Sequence, residues 1–316
     1  MDMITSILAI TIRAGTSLVF ATIGEIFTER AGILNLGIEG IMLMSAVTGF
    51  AASFYTQNLF IALLVAAAVG AAMAALHAFL TVTMRANQVV SGLSITLFGS
   101  GFASFLGQRL GPAANNFRLV GLKGARFMPA SFEALREVPI LSALANQDLL
   151  TYLVYILIPL SWFFLYKTRP GLWLRSIGED PQTADAMGID VIKAKYFYTI
   201  LGGVFIALGG AHLSLSYTPG WAENITGGRG WIVVALVIFS MWNPARSLWG
   251  ALLFGGINAV QFRLQASGTN IPAAFLNMLP YLGTIAVLVL MTWWEALSKK
   301  VGAPAALSQA YMREDK

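Results

Sequence analysis

Long apolar runs recur along almost the whole sequence, and they leave few ways for the chain to fold. About nine of them fall at approximately 5–26, 33–54, 59–83, 88–107, 149–166, 196–217, 230–243, 247–265 and 274–296. Several reach the roughly 20 residues that a helix needs to cross a bilayer core. In lipid every peptide N–H and C=O must find its partner within the protein, so spanning segments are helices or the strands of a closed barrel. The alternating ten-residue pattern of a barrel strand is absent. The expected fold is therefore all-α: a polytopic transmembrane helical bundle of about nine spans, forming a single domain over residues 1–316. Composition agrees, since only 11% of the residues are charged where a soluble domain carries about a quarter. The 31 glycines suit helices that approach closely in a membrane.

Two polar connections stand out, an external loop at about 108–148 and a segment at about 167–195. The second is flanked by Lys167, Arg169 and Arg175 before it and by Lys193 and Lys195 after it. The C-terminal tail carries Lys299, Lys300, Arg313 and Lys316. Basic flanks mark the cytoplasmic side, which places the 167–195 segment and the C-terminus inside. Counting back through five runs puts the N-terminus outside, and the 108–148 loop outside as well. That loop contains five basic residues, including Arg136 beside Glu133 and Glu137, but long loops are less bound by the charge rule. The N-terminal stretch lacks a basic leader and a small-residue cleavage site, so it reads as a first span. Basic residues at the ends of apolar runs form an orientation pattern, so the net charge of +5 implies no nucleic-acid partner.

Four groups of residues carry functional information. In GEIFTERAGILNLGIEGIMLMSA, residues 24–46, the polar side chains Glu25, Glu29, Arg30, Asn35 and Glu39 alternate with Gly24, Gly32, Gly37 and Gly40. Glu25, Glu29 and Arg30 read either as solvated charges of a turn or as groups facing an aqueous path. Asn35 and Glu39 lie deeper in the apolar pattern and are candidates for the translocation pathway or its gate. The stretch from Gly178 to Gly188 predicts a short helix with Glu179, Asp180 and Pro181 at its start. Gly188 is its stop, and Ala184, Met187 and Ile189 form an apolar face that suits docking of a soluble partner. Between Gly227 and Pro244 only about thirteen apolar residues separate the polar ends. That segment is either a broken or tilted helix lining a cavity or an ordinary span extended by its flanks.

Finally, Asn87, Gln88, Ser91, Asn258 and Gln261 sit at or within apolar runs. Such groups either contact a polar solute or bond a neighbouring helix at roughly 0.6 kcal/mol each. Asn87, Gln88, Ser91 and Asn258 are retained as pathway candidates. Arg13 reads as an interfacial anchor, and His77 and His212 as residues that pack or bond locally. The chain contains no Walker loop, nucleophile elbow or H-E-x-x-H helix. It also contains no cysteine, so no disulfide or thiolate metal site is available. No catalytic residue, cofactor or metal is expected.

These segments resemble the permeases of ABC importers for simple sugars and nucleosides, which are related to ribose and branched-chain amino acid permeases. ERAGILNLGIEGIMLMSA is similar to that family's most recognisable motif. TRPGLWLRSIGEDPQTADAMGIDV is similar to its cytosolic coupling segment, and GGRGWIVVALVIFSMWNPARSLWGALLFGG to its late-helix pattern. The resemblance implies a multi-pass protein of the bacterial cytoplasmic membrane that moves a small-molecule solute inward. It implies a cytosolic ABC ATPase subunit, a second permease subunit (the same chain or a different one) and an external solute-binding protein. It also assigns Glu179, Asp180, Pro181, Ala184, Met187 and Gly188 to ATPase coupling. Ribose-type relatives have ten spans, so this chain looks as though the first were missing. The competing reading is a stand-alone secondary carrier or channel driven by an ion gradient, which paired intramembrane carboxylates would suit.

Overall fold

Apolar sequence with little alternation folds into helices throughout the computed structural model, which describes residues 3–130, 132, 139–266, 272–298 and 302–312. No strand occurs among these residues. The helices are α1 (Met3–Arg30), α2 (Ile38–Thr56), α3 (Leu59–Ala78), α4 (Gln88–Gly107), α5 (Pro139–Ala145), α6 (Leu149–Lys167), α7 (Arg169–Glu179), α8 (Pro181–Ala186), α9 (Val191–His212), α10 (Arg229–Ser240), α11 (Pro244–Ala266) and α12 (Ala273–Ser298). Wide π-turns at Phe79–Thr83 and Leu213–Tyr217 prolong α3 and α9.

Each of the nine apolar runs holds a helix, but they are not equally able to cross a bilayer. Among the described residues, six segments have the length and apolarity: Thr5–Arg30, Ile38–Thr56, Leu59–Thr83, Gln88–Gly107, Leu149–Lys167 and Val191–Tyr217. α10 is a shorter apolar helix of 12 residues, and Met278–Leu290 is a described apolar stretch within α12. The basic tail residues Lys299, Lys300, Arg313 and Lys316 lie outside the described residues, as do Glu133, Arg136 and Glu137 of the long loop.

α1, α2 and α9 form the centre of the bundle, with Phe20, Ile23, Ile26, Ile41, Met42 and Ile206 fully buried among them. Glycines set the closeness of that packing. A methyl group added to Gly202 of α9 would lie 2.6 Å from the carbonyl oxygen of Gly24, and one on Gly99 of α4 only 2.6 Å from the Cα of Gly40. Large apolar side chains are exposed instead on the outer helices, such as Leu97 and Phe98 of α4, Ile156 of α6 and Ile285 of α12. Such a surface is stable where its surroundings are themselves apolar.

The bundle has two distinguishable ends. At one, the Arg13 Nε donates to Gln147 Oε1 at 3.2 Å, and the Asp148 carboxylate caps α6 through the amides of Leu150 and Thr151. There Asp148 also meets His212 Nε2 at 3.5 Å, with both side chains wholly buried. The long connection covers this end, where the Phe127 amide donates to the Leu215 carbonyl at 2.8 Å. At the other end lie α7 and α8, tied to α1 by Arg30 and Glu179 at 3.9 Å.

Candidate functional site

The chain between α1 and α2 leaves helical geometry inside the protein, and its peptide groups must be satisfied by side chains. Three helices, α1, α3 and α4, supply most of them. Glu25 Oε1 accepts the Asn35 amide at 3.0 Å, and Gln88 Oε1 accepts the Leu34 amide at 2.6 Å. The Leu34 carbonyl faces His77 Nε2 at 3.1 Å, and Thr96 donates its hydroxyl to the Leu36 carbonyl at 2.8 Å. Asn35 closes the turn on itself by accepting the Gly37 amide at 2.8 Å. Ser91 enters through His77, whose Nδ1 lies 2.9 Å from its hydroxyl.

A second break lies between the π-turn after α9 and the start of α10. Gly227 and Gly228 there have φ of +55° and +80°, a left-handed conformation that glycine adopts without strain. The N-terminus of α10, buried at Arg229 and Gly230, is met by Glu39, from the first turn of α2. Glu39 Oε1 accepts the Thr226 hydroxyl at 2.5 Å and the Gly228 amide at 3.0 Å, and Oε2 accepts the Gly230 amide at 2.6 Å. A carboxylate at a helix N-terminus satisfies orphan amides and opposes the positive end of the helix dipole. Arg229 points away from this contact: its Nη1 donates to the Ala14 carbonyl at 3.0 Å, and its guanidinium lies 4.8 Å from the Tyr217 ring centre.

Beside this junction is a cavity of about 720 Å³. Glu39, Thr96, Ser100, Asn258, Gln261 and Tyr281 bring polar atoms to its wall, and Trp231 and Leu97 bring apolar surface. Broken helices that frame a polar cavity are how transporters expose backbone dipoles and side chains to a solute. The segment at 227–244 is thus a short helix that begins beside a cavity, one of its two sequence readings.

The pathway candidates therefore separate. Glu39 and Asn258 line the cavity. Asn35, Gln88 and Ser91 serve the first break, and Asn87 caps α4 by accepting the Val90 amide at 3.1 Å. Glu25 and Glu29 are buried in α1, 0% and 3% exposed, not solvated in a turn. Glu29 accepts the Trp242 indole N–H at 2.5 Å, which docks the corner between α10 and α11 onto α1. Sequence reasoning does not single out Thr96, Ser100 or Tyr281. Isolated hydroxyl and aromatic residues are ordinary in spanning helices, and nothing in their spacing separates them from packing residues.

At the other end, the expected helix over 179–188 is divided. α7 ends at Glu179, and Asp180 caps the short α8 by accepting the Gln182 and Thr183 amides at 3.0 and 3.1 Å. Hydrogen bonds from the Thr183 hydroxyl and amide hold its carboxyl below the usual carboxylate range. Gly188, at φ +86°, ends the turn. Ala184 packs with Ile177 and Val191, against which Ile189 also rests. Met187, expected on the same apolar face, points outward and is 79% exposed. Pro181 opens α8, and Glu179 takes the Ala305 amide at 3.3 Å.

A helical bundle with two internal breaks and a cavity beside the second has the architecture of a transporter's membrane component. The chain belongs to the family described as the branched-chain amino acid transport system permease component, which matches residues 7–291. It is 40% identical to the permease protein TsgC13 of Haloferax volcanii, provisionally assigned to glucose ABC transport, over 99% of both chains. It is 34% identical to the nucleoside ABC transporter permease protein NupC of Lactococcus lactis, over 87% of this chain and 88% of that one. To the guanosine ABC transporter permease protein NupQ of Bacillus subtilis it is 31% identical, over 86% and 87%. The chain is thus a multi-pass ABC transporter permease and not itself an enzyme. This membership replaces the stand-alone carrier as the account of the buried carboxylates, which the structure employs in holding broken backbone.

Proposed function

We propose that this permease moves a nucleoside or a simple sugar into the cytoplasm, with ATP hydrolysed by a partner subunit. The observation that carries the reading is the polar cavity beside Glu39 and the start of α10. Its volume of about 720 Å³ is within the range of small-molecule sites. Its lining of hydroxyl, amide and aromatic side chains suits a solute with several hydroxyls and a flat or partly apolar face. Glu39 and Asn258 are its sequence-designated members, and Thr96, Ser100, Gln261 and Tyr281 complete it. Asn35, Asn87, Gln88 and Ser91 act one layer back, fixing the backbone that shapes it.

In this reading the single domain crosses the membrane nine times, the six long segments being joined by α10, α11 and α12. The N-terminus and the 108–148 loop are external, and the α7–α8 end and the C-terminus are cytosolic. The basic side chains Arg30, Arg85, Lys167, Arg169 and Arg175 near that end support the orientation. The coupling element is α8, with Glu179, Asp180, Pro181, Ala184, Met187 and Gly188. Its partner is a cytosolic ABC ATPase, and an external binding protein delivers the solute. The pathway is shared with a second permease subunit. A different chain is favoured for that role, because two permease proteins of Haloferax volcanii, TsgC13 and TsgB13, both match this sequence, at 40% and 23% identity. Relatives occur in an archaeon and in bacteria, so the membrane is the cytoplasmic membrane of either.

The test is uptake of labelled guanosine and glucose by cells carrying the complete transporter. Depleting ATP with the ion gradients intact should abolish uptake, and collapsing the gradients with ATP maintained should leave it. The reverse pattern defeats the reading.

A further inference from the structure

The segment Gly302–Met312 follows the last helix and packs on the edge of the bundle's core through Ala303, Ala306 and Leu307, and it is pinned at five places around the α7–α8 end. Gly302 packs against Met241 and Trp242 at the corner between α10 and α11. The Ala306 amide donates to the Gly178 carbonyl at 2.9 Å, and the Ala305 amide to Glu179 at 3.3 Å. The Tyr311 ring lies 5.9 Å from the Nζ of Lys195, a lysine that is 1% exposed in the first turn of α9. Tyr311 also rests on the cluster that seats Ala184 of α8. Last, Met312 receives an N–H from Arg85 at 3.3 Å, between α3 and α4.

These contacts have a mechanical consequence. α8 has six residues, too few to hold helical form alone, so its position is set by what it leans on. Part of that support is the 302–312 segment, which also touches the ends of α9, of α10 and of the link before α4. Between this segment and α8 lies a groove of about 370 Å³, walled by Glu179, Asp180 and Gln182 on one side and by Gln309, Ala310 and Met312 on the other. Gln182, Gln309, Ala310 and Met312 are exposed, as is Met187 at the far end of α8. The surface is continuous; Glu179 is balanced by Arg30 at 3.9 Å, while Asp180, which caps α8 through Gln182 and Thr183, keeps a negative charge there that favours a partner bringing basic groups.

From this we infer that the ATPase docks on a composite surface, with α8 as one half and the Gln309–Met312 stretch as the other. The 302–312 segment then spreads the displacement of α8 to the helix ends it touches. The inference rests on α8 being the coupling element, and the experiment separates the two ideas. The chain has no cysteine, so Met187→Cys, Ala310→Cys and Val120→Cys each introduce a single site with a small change in volume. Each full-length variant, co-expressed with its transporter's ATPase and shown to keep the wild-type melting temperature, is labelled with benzophenone maleimide and irradiated. Adducts shifted by the ATPase mass, and identified by mass spectrometry as a Walker-loop chain, are expected from positions 187 and 310 and not from 120. An adduct from 187 without one from 310 overturns the composite surface and leaves the coupling reading standing. Adducts from neither overturn both.

Discussion

At the scale of single residues, Glu39 has the most to lose. Its two oxygens accept a hydroxyl and two amides from a segment 187 to 191 positions away in sequence. Each buried donor left without an acceptor costs about 1–3 kcal/mol. Glu39→Ala should therefore lower the melting temperature in detergent by several degrees and abolish uptake, because α10 loses its anchor. Glu39→Gln keeps one good acceptor oxygen and should fall between the two. A Glu39→Ala permease that melts with the wild type would refute the anchoring role. That role was only half legible in the sequence. The cost of a polar group at membrane depth marked Glu39, but it marked Asn35 equally, and Gln88 and Ser91 were pathway candidates as well, although all three serve the other break. All four are polar groups in apolar surroundings, and only their neighbours distinguish their roles.

At the scale of helices, the contact between α2 and α4 is made by glycine against glycine. An added Cβ on Gly99 would lie 2.6 Å from the Gly40 Cα and 2.7 Å from its carbonyl oxygen, while one on Gly101 of the same helix meets nothing within 4 Å. Gly99→Val should destabilise the permease by about 1–3 kcal/mol, the usual cost of overpacking, and Gly101→Val should be tolerated. Thermal unfolding of the two variants side by side decides the matter, and equal melting temperatures would show that α2 and α4 are free to separate. The positions of the helices were readable from apolar runs to within a few residues. Their division was less so: the predicted single helix at 179–188 is the end of α7, a cap and a six-residue α8. An Asp-Pro pair begins a helix as readily as it continues one, and the break depends on Thr183 and Gln182 bonding to Asp180.

At the scale of the whole molecule, α7–α8 and the long connection lie at opposite ends of the bundle, so they should lie on opposite sides of the membrane. Met187 and Val120 are exposed at these two ends. In intact cells a membrane-impermeant maleimide should label Val120→Cys at once, and Met187→Cys only after the membrane is opened. Labelling in the opposite order would invert the proposed orientation. What the sequence alone determined is the solvent and the secondary structure, because apolar length and backbone satisfaction in lipid are local constraints that every window of the chain reveals. It also flagged two stretches, 24–46 and 227–244, where glycines and polar residues crowd between or interrupt apolar runs. Only the tertiary structure decided which polar side chain mends which break, and that Glu39, just past the first break, joins the second beside one cavity. Those pairings join residues far apart in the chain, so they follow from how the helices pack rather than from any period or spacing along the sequence.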